Sequence, residues 1–277
     1  MAKLLQTLIP LLSSVVVLLA AAANTAQSQS TSFTYDFWSD KPTDLTYQGQ
    51  AHFPSDSTFL RLTNPIIGSV GRVLYSNPVQ FSQAGGQVDF ETTVNFIITP
   101  SPTNLTADGI TFFIAPVGST IPNGGTGGNL GIFGFSGNSP SVFAIEFDTF
   151  VNNPWDPSYP HIGIDIGSRE SRNTTEFSEG IIRQLVSARI NYVGATKMIT
   201  VTATNGWKTV EVSYEYDLSG FLPEQVQVGL SAASGLSQPY VATHDIVLWN
   251  FKATMVQTNS SARSRKELAG NIIRQFV

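Results

Sequence analysis

The chain holds 277 residues, of which 42% are hydrophobic and only 13% charged, with 23 glycines, 15 prolines and no cysteine. That much apolar side chain with so little charge excludes a disordered chain. The glycines keep no three-residue period that would make collagen, and the lack of thiolates excludes a zinc ribbon. A formal net charge of −5 leaves no basic surface to neutralise phosphates, so nucleic acid is not an expected partner.

The chain opens on Met1-Ala2-Lys3, an uncharged run from Leu4 to Ala23, and small residues around Ala23 and Ala26. This pattern predicts a secretory signal peptide over residues 1–26, cleaved between Ala23 and Gln29. A retained membrane anchor is the alternative, weakened by Gln6, Pro10, Ser13 and Ser14 inside the run. The mature chain is then expected to carry no membrane span and to follow the secretory pathway to an extracellular or vacuolar destination. Without disulfides, its core or bound metal must hold it together.

Residues 27–258 read as one domain. Period-two alternation predicts strands over 32–37, 58–62, 87–96, 109–115, 142–148, 161–166, 197–204, 209–216, 225–232 and 245–252. Clusters of Gly, Pro, Asn and Ser punctuate these runs, most densely from Gly118 to Gly131. No helical period lasts three turns before residue 259, so an all-β sandwich is expected. Sequons at Asn104, Asn173 and Asn259 predict surface glycosylation. In the tail, 259–277, Arg263, Arg265, Lys266 and Arg274 accompany a helical spacing of Leu268, Ile272, Ile273 and Phe276. A disordered extension and a processed or targeting propeptide are both open for it.

The chemistry concentrates between Val142 and His161. On a strand, Glu146 and Asp148 share one face with Val142 and Ala144. Two like charges about 4 Å apart repel by about 4 kcal/mol at an effective dielectric near 20. A shared proton or a bound cation would relieve this cost. The loop that follows favours the cation, because it brings Asn152, Asp156 and His161 while Pro154 and Pro157 stiffen it. Mixed carboxylate and imidazole suits Mn²⁺, whereas carboxylate, amide and backbone oxygens suit Ca²⁺. The competing reading is an exposed acidic strand end with His161 an ordinary polar residue.

The stretch Ala144-Ile145-Glu146-Phe147-Asp148-Thr149-Phe150, continuing through Trp155-Asp156-Pro157 to His161-Ile162-Gly163-Ile164-Asp165, closely resembles the legume lectins. Agreeing blocks are Phe33 to Phe37, Ala107 to Phe113, Gly127 to Phe133 and Val228 to Gly235. The resemblance spans roughly Thr31 to Thr254. It implies a jelly-roll β-sandwich in which Glu146, Asp148, Asp156 and His161 ligate Mn²⁺, and Asp148, Asp156, Asn152 and the Phe150 carbonyl ligate Ca²⁺. Ser168 matches the serine that holds a metal-bound water, and Gly167 stands where the family usually has Asn.

The same resemblance implies that Asp108, Asn152 and the Gly128 backbone N–H converge on sugar hydroxyls, with a cis peptide before Asp108 and Phe150 stacked on the sugar. These residue types suit sugar binding, since a carboxylate accepts two hydroxyl hydrogen bonds, an amide donates one, and glycine admits the ring to the main chain. After Gly235, the loop bearing Leu236, Ser237, Pro239 and Tyr240 resembles the longer kind that accompanies galactose, N-acetylgalactosamine or complex glycans. Leu236 and Ser237 would touch the sugar, while Asn129 stands where the family often has an aromatic residue. Glycans and glycoproteins are the implied partners, bound by a homodimer or homotetramer.

Two rivals differ at identifiable residues. A glycoside hydrolase with Glu-x-Asp-x-x-Glu on one strand would match Glu146 and Asp148, but its second glutamate falls on Val151. No serine or cysteine nucleophile context appears, and His52 and His244 read as surface or strand-end residues. A storage or defence protein that has lost sugar binding usually lacks loop or metal residues, and this chain keeps them all.

Overall fold

The computed structural model describes residues 30–257 apart from 39–40, 56, 84–85, 103–104 and 179. The signal segment, the sequons at Asn104 and Asn259, and the tail therefore lie outside the described residues.

Two antiparallel sheets face each other. In chain order the strands are β1 (Ser30–Asp36), β2 (Leu45–Gly49), β3 (Leu60–Thr63), β4 (Val70–Tyr75), β5 (Val79–Gln80), β6 (Gly86–Pro100), β7 (Asp108–Pro116) and β8 (Asn138–Asp148). There follow β9 (His161–Ser168), β10 (Asn173–Glu176), β11 (Val186–Val193), β12 (Met198–Thr204), β13 (Thr209–Glu215), β14 (Gln225–Ser234) and β15 (Ala242–Gln257), with a 3-10 turn (Gly127–Asn129) between β7 and β8 and one α-helical turn, α1 (Leu218–Phe221), before β14. The back sheet has seven strands ordered β1-β15-β6-β11-β12-β13, with β3 also on β15. The front sheet has eight, ordered β10-β9-β8-β7-β14-β4-β2, with β5 also on β14. Every one of the ten expected strands is present, several extended at their ends.

Burial explains which strands alternate. Along β6 the even positions Val88, Phe90, Val94, Phe96 and Ile98 are buried between the sheets while the odd ones are half-exposed, as suits a sheet with one wet face. The front sheet is covered on both faces. Phe112, Ile114, Phe143, Ile145 and Phe147 join the inter-sheet core, while Phe113, Ala115, Val142 and Ala144 pack under the 118–137 loop with Leu130, Ile132 and Phe133. Hence β7 reads as the nearly unbroken apolar run ITFFIA rather than an alternation.

His244 departs from the sequence reading. It is not on the surface but fully buried, the third residue of β15, where its Nδ1 lies 2.7 Å from Thr63 Oγ1. Thr63 Oγ1 in turn donates to the Ala242 carbonyl at 3.0 Å, so the hydrogen bond from His244 places its proton on Nδ1 and leaves Nε2 bare. His52 is exposed, as expected.

Candidate functional site

The front sheet brings the acidic residues together by register. Asp148 of β8 pairs with Gly109 of β7 and with His161 of β9, and Glu146 pairs with Thr111 and Gly163. Asp108, the first residue of β7, thus begins beside the end of β8. Gly163 is required there, since a Cβ would stand 2.5 Å from Glu146 Oε1 and strike Ser171 Oγ. The exposed-strand-end reading fails on burial: Glu146 and Asp148 are each 2% exposed and His161 1%.

His161 Nε2 contacts Glu146 Oε1 at 3.0 Å. Asp148 Oδ1 accepts from the Phe150 N–H at 2.7 Å, and Asp156 Oδ2 from the Asn152 N–H at 2.6 Å, so two carboxylates fix the loop that follows β8. Among the described residues no three His, Asp or Glu side chains are drawn together as a ligand shell; the contacts are pairwise. The charges are only partly compensated, by His161 beside Glu146 and by the charges of His161 and Arg169 acting on Asp156. Burial, then repulsion from Glu146 and Asp156, raises the Asp148 pKa well above the usual range, against the opposing Phe150 N–H. Burial pushes Asp156 up to about 6 and Asp108 up to about 7. Burial pulls His161 down, but the hydrogen bond and charge of Glu146 outweigh it and raise the imidazole above its ordinary value.

Two further residues belong to this cluster. Asp165 is fully buried and driven up by burial and by the charge of Glu146. Ser171 Oγ lies 2.7 Å from Glu146 Oε1 and 2.6 Å from Asp165 Oδ1. A hydroxyl carries a single proton, which these two carboxyl groups share. The serine that reaches the cluster is therefore Ser171, while Ser168 turns its hydroxyl to the Glu170 N–H. Ser171 escapes sequence reading because it sits outside any strand, in a turn brought back by the hydrogen bond from the Arg172 N–H to the Ile164 carbonyl.

Beside the cluster lies a depression of about 230 Å³. Asp108, Gly128, Phe150, Asn152, Leu236 and Ser237, the six residues expected at a sugar site, all line it, together with Ala107, Gly127, Gly235 and Tyr240. Asn152 Nδ2 donates to Asp108 Oδ1 at 3.4 Å. Asp108 Oδ2 and Asn152 Oδ1 are buried without a hydrogen-bond partner, an arrangement costly enough to point to an absent one. The Ala107-Asp108 peptide is cis. A Cβ on Gly128 would stand 2.6 Å from Asn152 Oδ1, and one on Gly127, at φ +62°, 2.9 Å from Leu236 Cγ. Both glycines thus let the loop press against its neighbours. Phe150 meets Tyr240 edge-on, ring centres 5.2 Å apart.

The supporting loop is fastened from below. Arg72 of β4, 1% exposed, donates to Ser119 Oγ at 3.0 Å and to the Gly131 carbonyl at 3.4 Å while its guanidinium lies 4.3 Å from the Phe113 ring centre. Burial lowers its pKa to about 10. Ser231 Oγ donates to the Leu130 carbonyl at 2.6 Å. Of the sequons, Asn173 is exposed at the start of β10, with its Nδ2 donating to the Ser213 carbonyl at 2.9 Å.

Comparison with known proteins gives the same architecture. The model of the legume lectin domain matches residues 30–267. Agglutinin-2 of Cladrastis kentukea is 38% identical over 275 residues, covering 94% of this chain and 92% of that protein. The winged bean acidic lectin, solved with methyl-α-D-galactose, is 34% identical with a TM-score of 0.76, covering 83% of this chain and all of that one. Lectin I-B4 from Griffonia simplicifolia, solved in a metal-free form, is 34% identical with a TM-score of 0.74, covering 80% of this chain and 99% of that one. These relatives are named for agglutination and lectin activity, not for catalysis. A two-sheet sandwich with a glycine-walled pocket at the end of its front sheet, matched from β1 to beyond β15, belongs to the legume lectin family.

Proposed function

We propose that this protein is a carbohydrate-binding lectin whose sugar site is organised by Ca²⁺ and Mn²⁺. The observation that carries the reading is the convergence of Asp108, Asn152 and Gly128 on one depression, with the ring of Phe150 at its side. Asp108 accepts from sugar hydroxyls, Asn152 Nδ2 and the Gly128 N–H donate to a sugar oxygen, and Phe150 covers an apolar face. The relative solved with a galactoside and the longer loop carrying Leu236 and Ser237 favour galactose, N-acetylgalactosamine or a complex glycan that ends in one of them.

The donor set fits the two ions. Glu146, Asp148, Asp156 and His161 offer carboxylates and an imidazole to Mn²⁺, and Asp148, Asp156, Asn152 and the Phe150 carbonyl offer oxygens to Ca²⁺. When bound, the cations supply the positive charge that the buried carboxylates lack. This chain's part is to hold the 149–156 loop, through Asp148 and Asp156, so that Asn152 and Phe150 face the pocket. The protein is read as exported, as glycosylated, and as a homodimer or homotetramer that cross-links glycoproteins.

The test is retention on galactose and N-acetylgalactosamine resins with and without EDTA. Binding in calcium and manganese, release in chelator and easier displacement by galactose than by methyl α-mannoside are expected. Binding that survives complete removal of both ions overturns the metal reading, and preference for the mannoside overturns the specificity.

A further inference from the structure

A cation that the reading above does not use stands beside the pocket. Arg169 follows β9, and its guanidinium carbon lies 3.7 Å from the Trp155 ring centre. Its Nη1 donates to Asn129 Oδ1 at 3.0 Å, while Asn129 Nδ2 donates to the Gly124 carbonyl at 2.8 Å. The Arg169 N–H is itself held by the Gly137 carbonyl at 2.9 Å. A Cβ on Gly137, at φ +72°, would stand 2.5 Å from Arg169 Nε, so glycine is what lets the guanidinium lie flat against this turn. Neither end of the stack lines the pocket, but each adjoins a residue that does: Asn129 directly follows Gly128, and the Trp155 N–H donates to the Asn152 carbonyl at 3.1 Å.

The guanidinium is fixed, and its charge acts on Asp156, but its donors are not used up. Among the described residues, Arg169 forms no ion pair, and Asn129 is the one hydrogen-bond acceptor of its side chain. None of its nitrogens is among the buried atoms without a partner, so its remaining N–H groups open to solvent. Nearby, Phe135 is 81% exposed and its ring lies against Gly124, which extends an aromatic surface along the same loop. A planar fork of donors, already immobilised by an aromatic face, suits a carboxylate or a sulfate ester and loses little further freedom on binding one.

We propose that Arg169, held on Trp155 and Asn129, forms a subsite for an anionic group, a carboxylate or a sulfate ester, carried on a glycan whose neighbouring sugar occupies the pocket. This rests on the pocket being a sugar site. The preferred ligands are then acidic glycans, and Asn129 serves as the anchor of the arginine.

The experiment is calorimetric titration of the metal-loaded protein with lactose and with lactose bearing sialic acid or sulfate at the 3′ or 6′ position. At least one anionic form is expected to bind roughly tenfold tighter than lactose, the scale of one charge-assisted hydrogen bond, and the gain should shrink as salt rises. Whether the sialylated or the sulfated form gains identifies the anion. Arg169→Gln should erase the gain and keep the affinity for lactose. Asn129→Ala, which leaves the charge but frees it, should reduce the gain in part. Lactose binding with no gain for any anionic form, or a gain that survives Arg169→Gln, overturns this subsite and leaves the pocket reading intact. Failure of every probe, and of N-acetylgalactosamine, to bind overturns both.

Discussion

Gly128 is a position where one carbon decides function. An added Cβ would sit 2.6 Å from Asn152 Oδ1, and the amide would have to leave the place from which it meets Asp108. Gly128→Ala is expected to weaken sugar binding by roughly 100-fold or more, a loss of about 3 kcal/mol, and Asp108→Ala to do the same by removing the acceptor. Both variants should melt close to the parent, because the pocket adds little to the core. Sugar titration beside a thermal melt checks this pair. His244 acts on stability instead. Burial depresses its pKa to about 3, below the ordinary 6.5, so as pH falls through 6.5 the unfolded chain takes a proton that the folded chain refuses. The stability this histidine leaves intact above pH 6.5 is therefore lost progressively down to about pH 3, by about 1.4 kcal/mol per pH unit. In urea melts between pH 6 and 4, His244→Leu should show a slope shallower than wild type by about that amount, whatever the other groups contribute.

The element that makes the site is β8 with the loop after it. Asp148, Asp156 and Asp165 all have raised pKa values in the ion-free chain, so the folded state holds protons that the unfolded state has released above about pH 4. Each such group lowers stability as pH rises, for Asp156 through the window from 3.8 to about 6. Chelation should hence lower the melting temperature more at pH 7 than at pH 5, where protons stand in for the cations. Asp148→Asn should remove sugar binding and most of the stabilisation by added calcium together. Calorimetry with and without EDTA at the two pH values measures both effects, and equal shifts at both would contradict the charge argument. Much of this element is legible in the sequence, because Glu146, Asp148, Asp156 and His161 fall within one strand, its loop and the start of the next. Other parts are less so. The front-sheet strand β4 hides behind Arg72, a charged residue in a fully buried position, and β2, β5 and β10 are too short to show a period. β11 is also missing from the ten expected strands, although Val186, Ala188, Ile190 and Tyr192 alternate regularly there and its period is legible. Ser171 and Gly127 belong to turns, and only the folded chain shows what they touch.

Across the whole molecule, the sandwich keeps stability and recognition apart. The back sheet and the inner face of the front sheet share one core, while the outer face of the front sheet carries the smaller cluster that seats the 118–137 loop. The pocket can therefore vary without disturbing the main core. The placement of β15 has another consequence. The last strand among the described residues lies between the first, β1, and β6, paired with β6 over nearly its full length. During synthesis the back sheet stays open at its middle, with two unpaired edges exposed, until residues 242–257 have emerged from the ribosome. The back sheet cannot close until β15 is available, and a chain halted before β15 should be captured by chaperones or aggregate rather than shed a smaller soluble domain. Release of nascent chains stalled at residue 240 and at residue 277, followed by protease digestion, would show this. A resistant core is expected only from the longer chain, and one from the shorter would mean that the front sheet folds alone.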